Sequence, residues 1–239
     1  GEYSPLYTYG EIIHNPQVVE GFKKRGVNPI ESVDDVKSGT VIIRSHGAPR
    51  CVFDGFLQKN INIIDATCPF VAMIQKIVQK ALQKDEFIVI IGEKSHPEVI
   101  GISGHCQNKA QVINSADEAE QIITDKNICV VAQTTTRRDL YSSLTAIIKK
   151  NNINVQVFDT ICDATLQRQS EAEEIASRVD VMIVIGGKHS SNSKELYNNI
   201  NTIKETYFIE NPEEAAKLPC PSDSPAHRWA RQPGGCRGY

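Results

Sequence analysis

The chain has 239 residues, 40% of them hydrophobic and 23% charged, an ordinary globular profile with length enough for one or two domains and a real core. A formal net charge of −3 excludes the broadly basic surface of a general nucleic-acid binder. No apolar run reaches the roughly 18 residues of a membrane span, and no signal-peptide pattern opens the chain. The seven cysteines are irregularly spaced without a CxxC pair, which reads as a reducing, cytoplasmic setting and not as disulfide staples or a zinc ribbon.

In chain order, Tyr7-Thr8-Tyr9-Gly10 has the character of a domain interior. Residues 11–14 form a short apolar segment ending in His14-Asn15-Pro16. Pro16 suits the first turn of a helix over 18–24, and Gly26 its C-terminal stop. Residues 32–35 predict a short acidic helix, and 41–43 a buried strand delivering Arg44-Ser45-His46-Gly47-Ala48-Pro49. A helix over 51–59 leads to a strand at 62–64, then to Asp65-Ala66-Thr67-Cys68-Pro69. The next helix covers 70–84, and the strand at 87–91 reaches Gly92-Glu93-Lys94-Ser95-His96-Pro97-Glu98.

Ser115 and Glu118 have capping-box spacing for a helix through Ile123. A strand at 128–132 ends in Gln133-Thr134-Thr135-Thr136, and an amphipathic helix follows to about Lys150. A strand at 155–158 precedes Ile161-Cys162-Asp163-Ala164-Thr165 and a helix over 165–178. The strand at 181–185 meets Gly186-Gly187-Lys188-His189-Ser190-Ser191-Asn192-Ser193, where Asn192 and Glu195 have the spacing of a second capping box for a helix over 194–203. A strand at 207–209 and a helix from Asn211 through Lys217 complete the pattern.

Strands alternating with helices, in continuous Val/Ile runs, predict parallel sheets covered on both faces. Phe87–Ile91 followed by Gly92-x-Lys94-x-His96 is echoed by 181–185 followed by Gly186-Gly187-Lys188-His189, so the chain divides into α/β modules at 1–68, 69–158 and 159–219. One continuous Rossmann sheet is the alternative, but no G-x-G-x-x-G follows any strand, which leaves dinucleotide binding without support. Residues 220–239 contain no Lys, Ile, Leu, Val or Asn, and are expected to be a disordered or extraneous tail such as a frame change or cloning scar produces.

Cys68 and Cys162 each follow an apolar strand. The carboxyl end of a parallel strand is where open α/β sheets keep their ligands, although inert buried thiols are the alternative. Other strand ends carry His14, His46, His96 with Glu98, Thr134, and Ser190-Ser191-Asn192; four of the six histidines (14, 46, 96 and 189) fall at such positions. Imidazolium rings and a helix N-terminus suit a phosphate or diphosphate. Beside such an anion Glu98 would hold its proton to higher pH and could donate it; a first-turn helix carboxylate is the other reading.

The ordered set Tyr9-Gly10-Glu11-Ile12-Ile13-His14-Asn15-Pro16, Arg44-Ser45-His46-Gly47, Asp65-Ala66-Thr67-Cys68-Pro69, Ser95-His96-Pro97-Glu98, Gln133-Thr134-Thr135, Ile161-Cys162-Asp163-Ala164-Thr165 and Ser190-Ser191-Asn192-Ser193 strongly resembles the 4-hydroxy-3-methylbut-2-enyl diphosphate reductase family over residues 1–219. The resemblance implies an α/β trefoil of three α/β/α modules, with small parallel sheets around a central [4Fe-4S] cluster. It implies cluster ligation by Cys68 and Cys162, and substrate binding by His14, His46, His96, Thr134, Ser190, Ser191 and Asn192. Glu98 would be the proton donor, working with Thr134 and His96. The reaction would be a two-electron reductive dehydroxylation to isopentenyl and dimethylallyl diphosphates, with reduced ferredoxin or flavodoxin as electron donor.

Two departures from the family pattern set expectations. Its first cluster cysteine belongs to a Gly-Phe-Cys segment that would precede Gly1, and its Ala-Gly-Ala-Ser segment is replaced by the unrelated tail. The chain as written is therefore expected to hold a cluster poorly and to act as an inactive fragment. The competing readings are a dehydratase of the quinolinate-synthase type and a cluster-free diphosphate-binding module.

Overall fold

The computed structural model describes residues 5–218, and every strand pairing in it is parallel. The chain forms two compact units, one through Leu166 and one from Gln167. Three separate sheets, and not one Rossmann sheet, carry the strands.

In the first unit, strands β1 (Leu6–Tyr9), β2 (Val27–Ile30), β3 (Thr40–Ile43) and β4 (Asn62–Asp65) lie in the order β2-β1-β3-β4. Sequence reasoning missed β1 and β2. Each has four residues, and β2 contains Pro29, which the sheet accommodates because β2 is its edge. Helix α1 (Pro16–Lys24) starts as the sequence predicts, with the Asn15 side chain accepting from the amides of Gln17 and Val18. The acidic segment after β2 is a single 3-10 turn, Val33–Asp35, closed by a Ser32–Asp35 capping box. Helix α2 (Arg50–Gln58) packs Val52 and Phe56 onto Val41 and Ile43 of β3.

The second sheet, in the order β6-β5-β7-β8, is built from β5 (Phe87–Ile91), β6 (Gln111–Ile113), β7 (Ile128–Ala132) and β8 (Val155–Val157). Its central strands are buried on both faces. Ile88, Ile90, Cys129 and Val131 pack on α3 (Pro69–Gln83) and α4 (Pro97–His105), through Ile74, Val78 and Ile102. Val89, Ile91 and Val130 pack on α5 (Ala116–Glu120) and α6 (Arg138–Asn151), through Ala119, Leu144 and Ile148. Period-two alternation between two apolar layers is what makes these strands read as unbroken Val/Ile runs. Each fully buried Ile or Leu contributes about 1.5–3 kcal/mol. Ser115 caps α5 as predicted, but the Glu118 carboxylate turns to the Asn114 amide and Lys94, and the helix ends at Glu120.

Double coverage does not extend to every strand. Ile64 and Asp65 of β4 are exposed, because β4 is the edge of the first sheet. In the second unit β9 (Met182–Ile185) pairs with β10 (Thr206–Ile209), and Ile185 is 73% exposed.

Helix α7 (Asp163–Ala176) runs from the first unit into the second, whose core is Ala176, Val184 and Ile200, the last from α8 (Ser191–Asn201). The cap of α8 differs from expectation. Ser190, not Asn192, is the N-cap, accepting from the Ser193 amide, so the cap lies two residues earlier than the Asn192–Glu195 spacing suggests. The final short helix, α9 (Pro212–Ala215), is capped by Asn211. The tail at 220–239 lies outside the described residues. Among the described residues no helix is long and apolar enough to cross a membrane.

Candidate active site

Of the five described cysteines Cys51 is exposed, and the other four separate into two kinds. Cys106 and Cys129 are fully buried in the apolar layer of the second sheet, and burial pushes the Cys129 thiol up to about 12, so it stays protonated. Cys68 and Cys162 are half-buried, uncrosslinked, and placed where helices begin after strand tips. Cys68 directly precedes α3, where Pro69 occupies the first helical position, and its amide donates to the Ser45 carbonyl at 3.0 Å. Cys162 directly precedes α7, and its amide donates to the Thr134 carbonyl, also at 3.0 Å. Each thiol is thus pinned by its backbone to the loop beyond a neighbouring strand, β3 for Cys68 and β7 for Cys162.

Those two loops carry the other predicted residues. His46 follows Ser45, and its ring lies between His14 and His96, with centroid separations of 5.1 Å and 5.3 Å. Three histidines from three different strand-end loops therefore form one row. Burial, followed by the Arg44 cation and the neighbouring rings of His96 and His14, pushes His46 down to about 3. This corrects the expectation of an imidazolium there: His46 is neutral and donates from only one nitrogen. Its Nδ1 is buried and meets no hydrogen-bond partner among the described residues, which leaves a polar atom for a ligand oxygen. Sequence reasoning passed over Arg44, the permanent cation acting on this ring; its Nη1 is held by the Glu11 carbonyl at 3.2 Å.

His96 is the N-cap of α4, its Nδ1 accepting from the Glu98 amide at 3.2 Å. When neutral, the ring therefore carries its proton on Nε2. Glu98 is only 2% exposed, and among the described residues Thr134 supplies both hydrogen bonds to its carboxylate, from the amide at 2.7 Å and from the hydroxyl at 2.8 Å. Burial holds the carboxyl above its ordinary range, and the two Thr134 bonds pull it part of the way back. Glu98 stands in the first turn of α4, as one sequence reading has it, and burial raises its pKa, which is the direction the other reading requires.

In the first unit a continuous set of contacts links Cys68, the Ser45–His46 loop, the histidine row, Glu98, Thr134 and Cys162. Ser190, Ser191 and Asn192 belong to the second unit, where they form the cap and first turn of α8. The Ser190 hydroxyl is engaged within that turn by Ser193. Soft thiols with hard imidazole and carboxyl groups suit a redox metal centre next to an oxygen-rich ligand. Among the described residues, no group of three His, Cys, Asp or Glu side chains is arranged to hold a single metal ion.

Comparison with known proteins identifies relatives of the chain. Residues 1–224 match the family described as LytB protein. A relative from Alkaliphilus oremlandii, named 4-hydroxy-3-methylbut-2-enyl diphosphate reductase, is 47% identical over 191 residues, which is 80% of this chain and 68% of the relative. A relative of the same name from Thermoanaerobacter sp. is 44% identical over 218 residues, covering 90% of this chain and 76% of its own. The solved structure of an (E)-4-hydroxy-3-methyl-but-2-enyl diphosphate reductase, described as the terminal enzyme of the non-mevalonate pathway, is similar with a TM-score of 0.68 at 39% identity, over 88% of this chain and 76% of that one. The structure of the Plasmodium falciparum E-1-hydroxy-2-methyl-but-2-enyl-4-diphosphate reductase matches with a TM-score of 0.82 at 25% identity, over 95% and 71% of the two chains.

Proposed function

The chain belongs to the LytB family, and from that premise we propose that it catalyses the two-electron reductive dehydroxylation of 4-hydroxy-3-methylbut-2-enyl diphosphate. The observation that carries the reading is the buried Glu98–Thr134 pair at the end of the histidine row. In the balanced reaction the allylic C–O bond breaks and two electrons enter the carbon skeleton. One proton leaves with the hydroxyl as water and one joins carbon, giving isopentenyl or dimethylallyl diphosphate.

The residues divide this work by their chemistry. His14, His46 and His96 offer ring nitrogens to diphosphate oxygens, with Arg44 as the fixed charge behind His46. In the second unit, Ser190, Ser191 and Asn192 open a helix with hydroxyl, carboxamide and amide donors suited to a phosphoryl oxygen. Glu98 holds a proton in a water-poor setting and releases it toward the hydroxyl, while Thr134 keeps the carboxyl oriented. His96, through its bond from the Glu98 amide, fixes the backbone that presents the acid.

The family implies an iron–sulfur cluster, and the donors can be tested against it. Cys68 and Cys162 fit as two thiolate ligands, being half-buried, uncrosslinked and tied to the loops that carry the histidines and the acid. When bound, the cluster supplies electrons one at a time, and we propose reduced ferredoxin or flavodoxin as their source. The family assignment leaves the quinolinate-synthase-type reading without support. The test is anaerobic turnover of the diphosphate substrate with a chemical reductant, comparing the chain with its Glu98→Gln variant. Formation of both isoprenoid diphosphates by the parent alone supports the proposal, and equal rates would overturn it.

A further inference from the structure

His105 is a half-buried histidine at the end of α4, away from the strand-tip row. The Gln79 carboxamide donates to its Nδ1 at 2.8 Å, and its Nε2 meets the Ala48 carbonyl at 3.1 Å. A carboxamide NH2 can only donate, so Nδ1 is the acceptor and the ring proton lies on Nε2, aimed at Ala48. Burial favours the same neutral ring. Ala48 is two residues past His46, and its loop is gripped at two further points. The Gln75 carboxamide, on a residue only 6% exposed, presses on Gly47, where an added Cβ would come within 2.4 Å of Nε2. Gly104 of α4 lets the helix approach Pro49 so closely that a Cβ would stand 2.4 Å from the proline Cβ.

We propose that His105 is a positioning residue for His46, holding the His46–Pro49 loop through the Ala48 carbonyl so that the His46 ring keeps its place between His14 and His96. This deepens the proposed function, since it rests on His46 contacting the diphosphate. Gln79 gives His105 its tautomer, and with it the direction of the hydrogen bond.

The test compares the full chain with His105→Leu and His105→Gln, using His46→Ala as a control. Side-chain NMR of the histidine rings in the ligand-free chain reads the position of His46 directly. Calorimetry with inorganic diphosphate reads affinity, and thermal melting reports folding. In His105→Leu the His46 ring signals should shift or broaden, and diphosphate affinity should fall about 3- to 10-fold, the effect of one hydrogen bond. His105→Gln, whose carboxamide can still donate to Ala48, should return both readouts to within about twofold of the parent. A folded His105→Leu chain with unmoved His46 signals overturns the proposal, as does a folded His105→Gln chain that behaves like His105→Leu. If His46→Ala binds diphosphate as tightly as the parent, the ligand reading fails, and the ring signals still decide the positioning role.

Discussion

Thr134 donates to both carboxylate oxygens of Glu98, its amide to Oε1 at 2.7 Å and its hydroxyl to Oε2 at 2.8 Å. Burial raises the pKa of this acid and Thr134 lowers it, so one residue limits how far above its ordinary range the proton persists. Thr134→Val keeps the shape and the amide but removes the hydroxyl bond. The Glu98 pKa should then rise further, moving the alkaline limb of the kcat–pH profile upward by about one unit. An unmoved limb would mean that Glu98 does not govern it.

Glu98→Gln removes the proposed proton donor but leaves a side chain of the same size. We expect kcat to fall about a hundredfold or more, with inorganic diphosphate affinity little changed. The acid also has a stability signature. Its folded-state pKa is raised, so its contribution is fully present below the unfolded value and is lost as pH rises through the folded one. Melting temperature measured against pH should therefore fall less on the alkaline side in Glu98→Gln than in the parent.

His46 has the opposite sign. Its folded pKa of about 3 lies below the ordinary 6.5, so its stabilising contribution is present above pH 6.5 and is lost as pH falls toward 3. Each pH unit in that window removes at most about 1.4 kcal/mol. His46→Gln should flatten the acid limb of urea midpoint against pH; a limb as steep as the parent's would place the acid sensitivity elsewhere.

Gly47 follows His46 with φ at +73°, in the left-handed region, and its Cα lies against the Gln75 carboxamide. Gly47→Ala should cost about 1–2 kcal/mol from backbone conformation alone, plus the clash with Gln75. The double variant Gly47→Ala/Gln75→Ala should recover the clash and not the backbone cost. Melting of the parent, the single variants Gly47→Ala and Gln75→Ala, and the double variant gives the two terms separately.

Iron and sulfide reconstitution tests the thiol pair. With Cys68 and Cys162 as two proposed ligands, iron uptake on anaerobic reconstitution should depend on both thiols. Equal iron content in the parent and in either serine variant would overturn the ligand assignment. Cys68→Ser and Cys162→Ser should each abolish whatever uptake occurs, whereas Cys129→Ser should not.

The sequence makes the second sheet plain because β5 and β7 are buried on both faces, so their residues are apolar at every position. It hides β1 and β2, whose four-residue strands alternate and, in β2, include a proline. At the site, strand-end placement picks out His14, His46, His96, Glu98 and Thr134 correctly as neighbours. The charge state of His46 was not legible, since it depends on burial, Arg44 and two other rings brought together only by folding. The α8 cap was misjudged because several consecutive residues could each accept from the helix amides, and only the backbone turn selects Ser190. His105 carried no signal at all, because its partners Gln79 and Ala48 lie on other elements.

The amides of Cys68 and Cys162 end on the carbonyls of Ser45 and Thr134, one beside His46 and the other within the residue that grips the acid. Under the proposed roles, electron entry, anion capture and proton release therefore share these backbone links. A distortion that tilts either cysteine then drags with it a loop proposed to handle the substrate. Resistance to an inhibitor gained by reshaping one of these loops should then bring a change in reduction potential along with it, leaving an adapting enzyme little freedom to alter recognition alone.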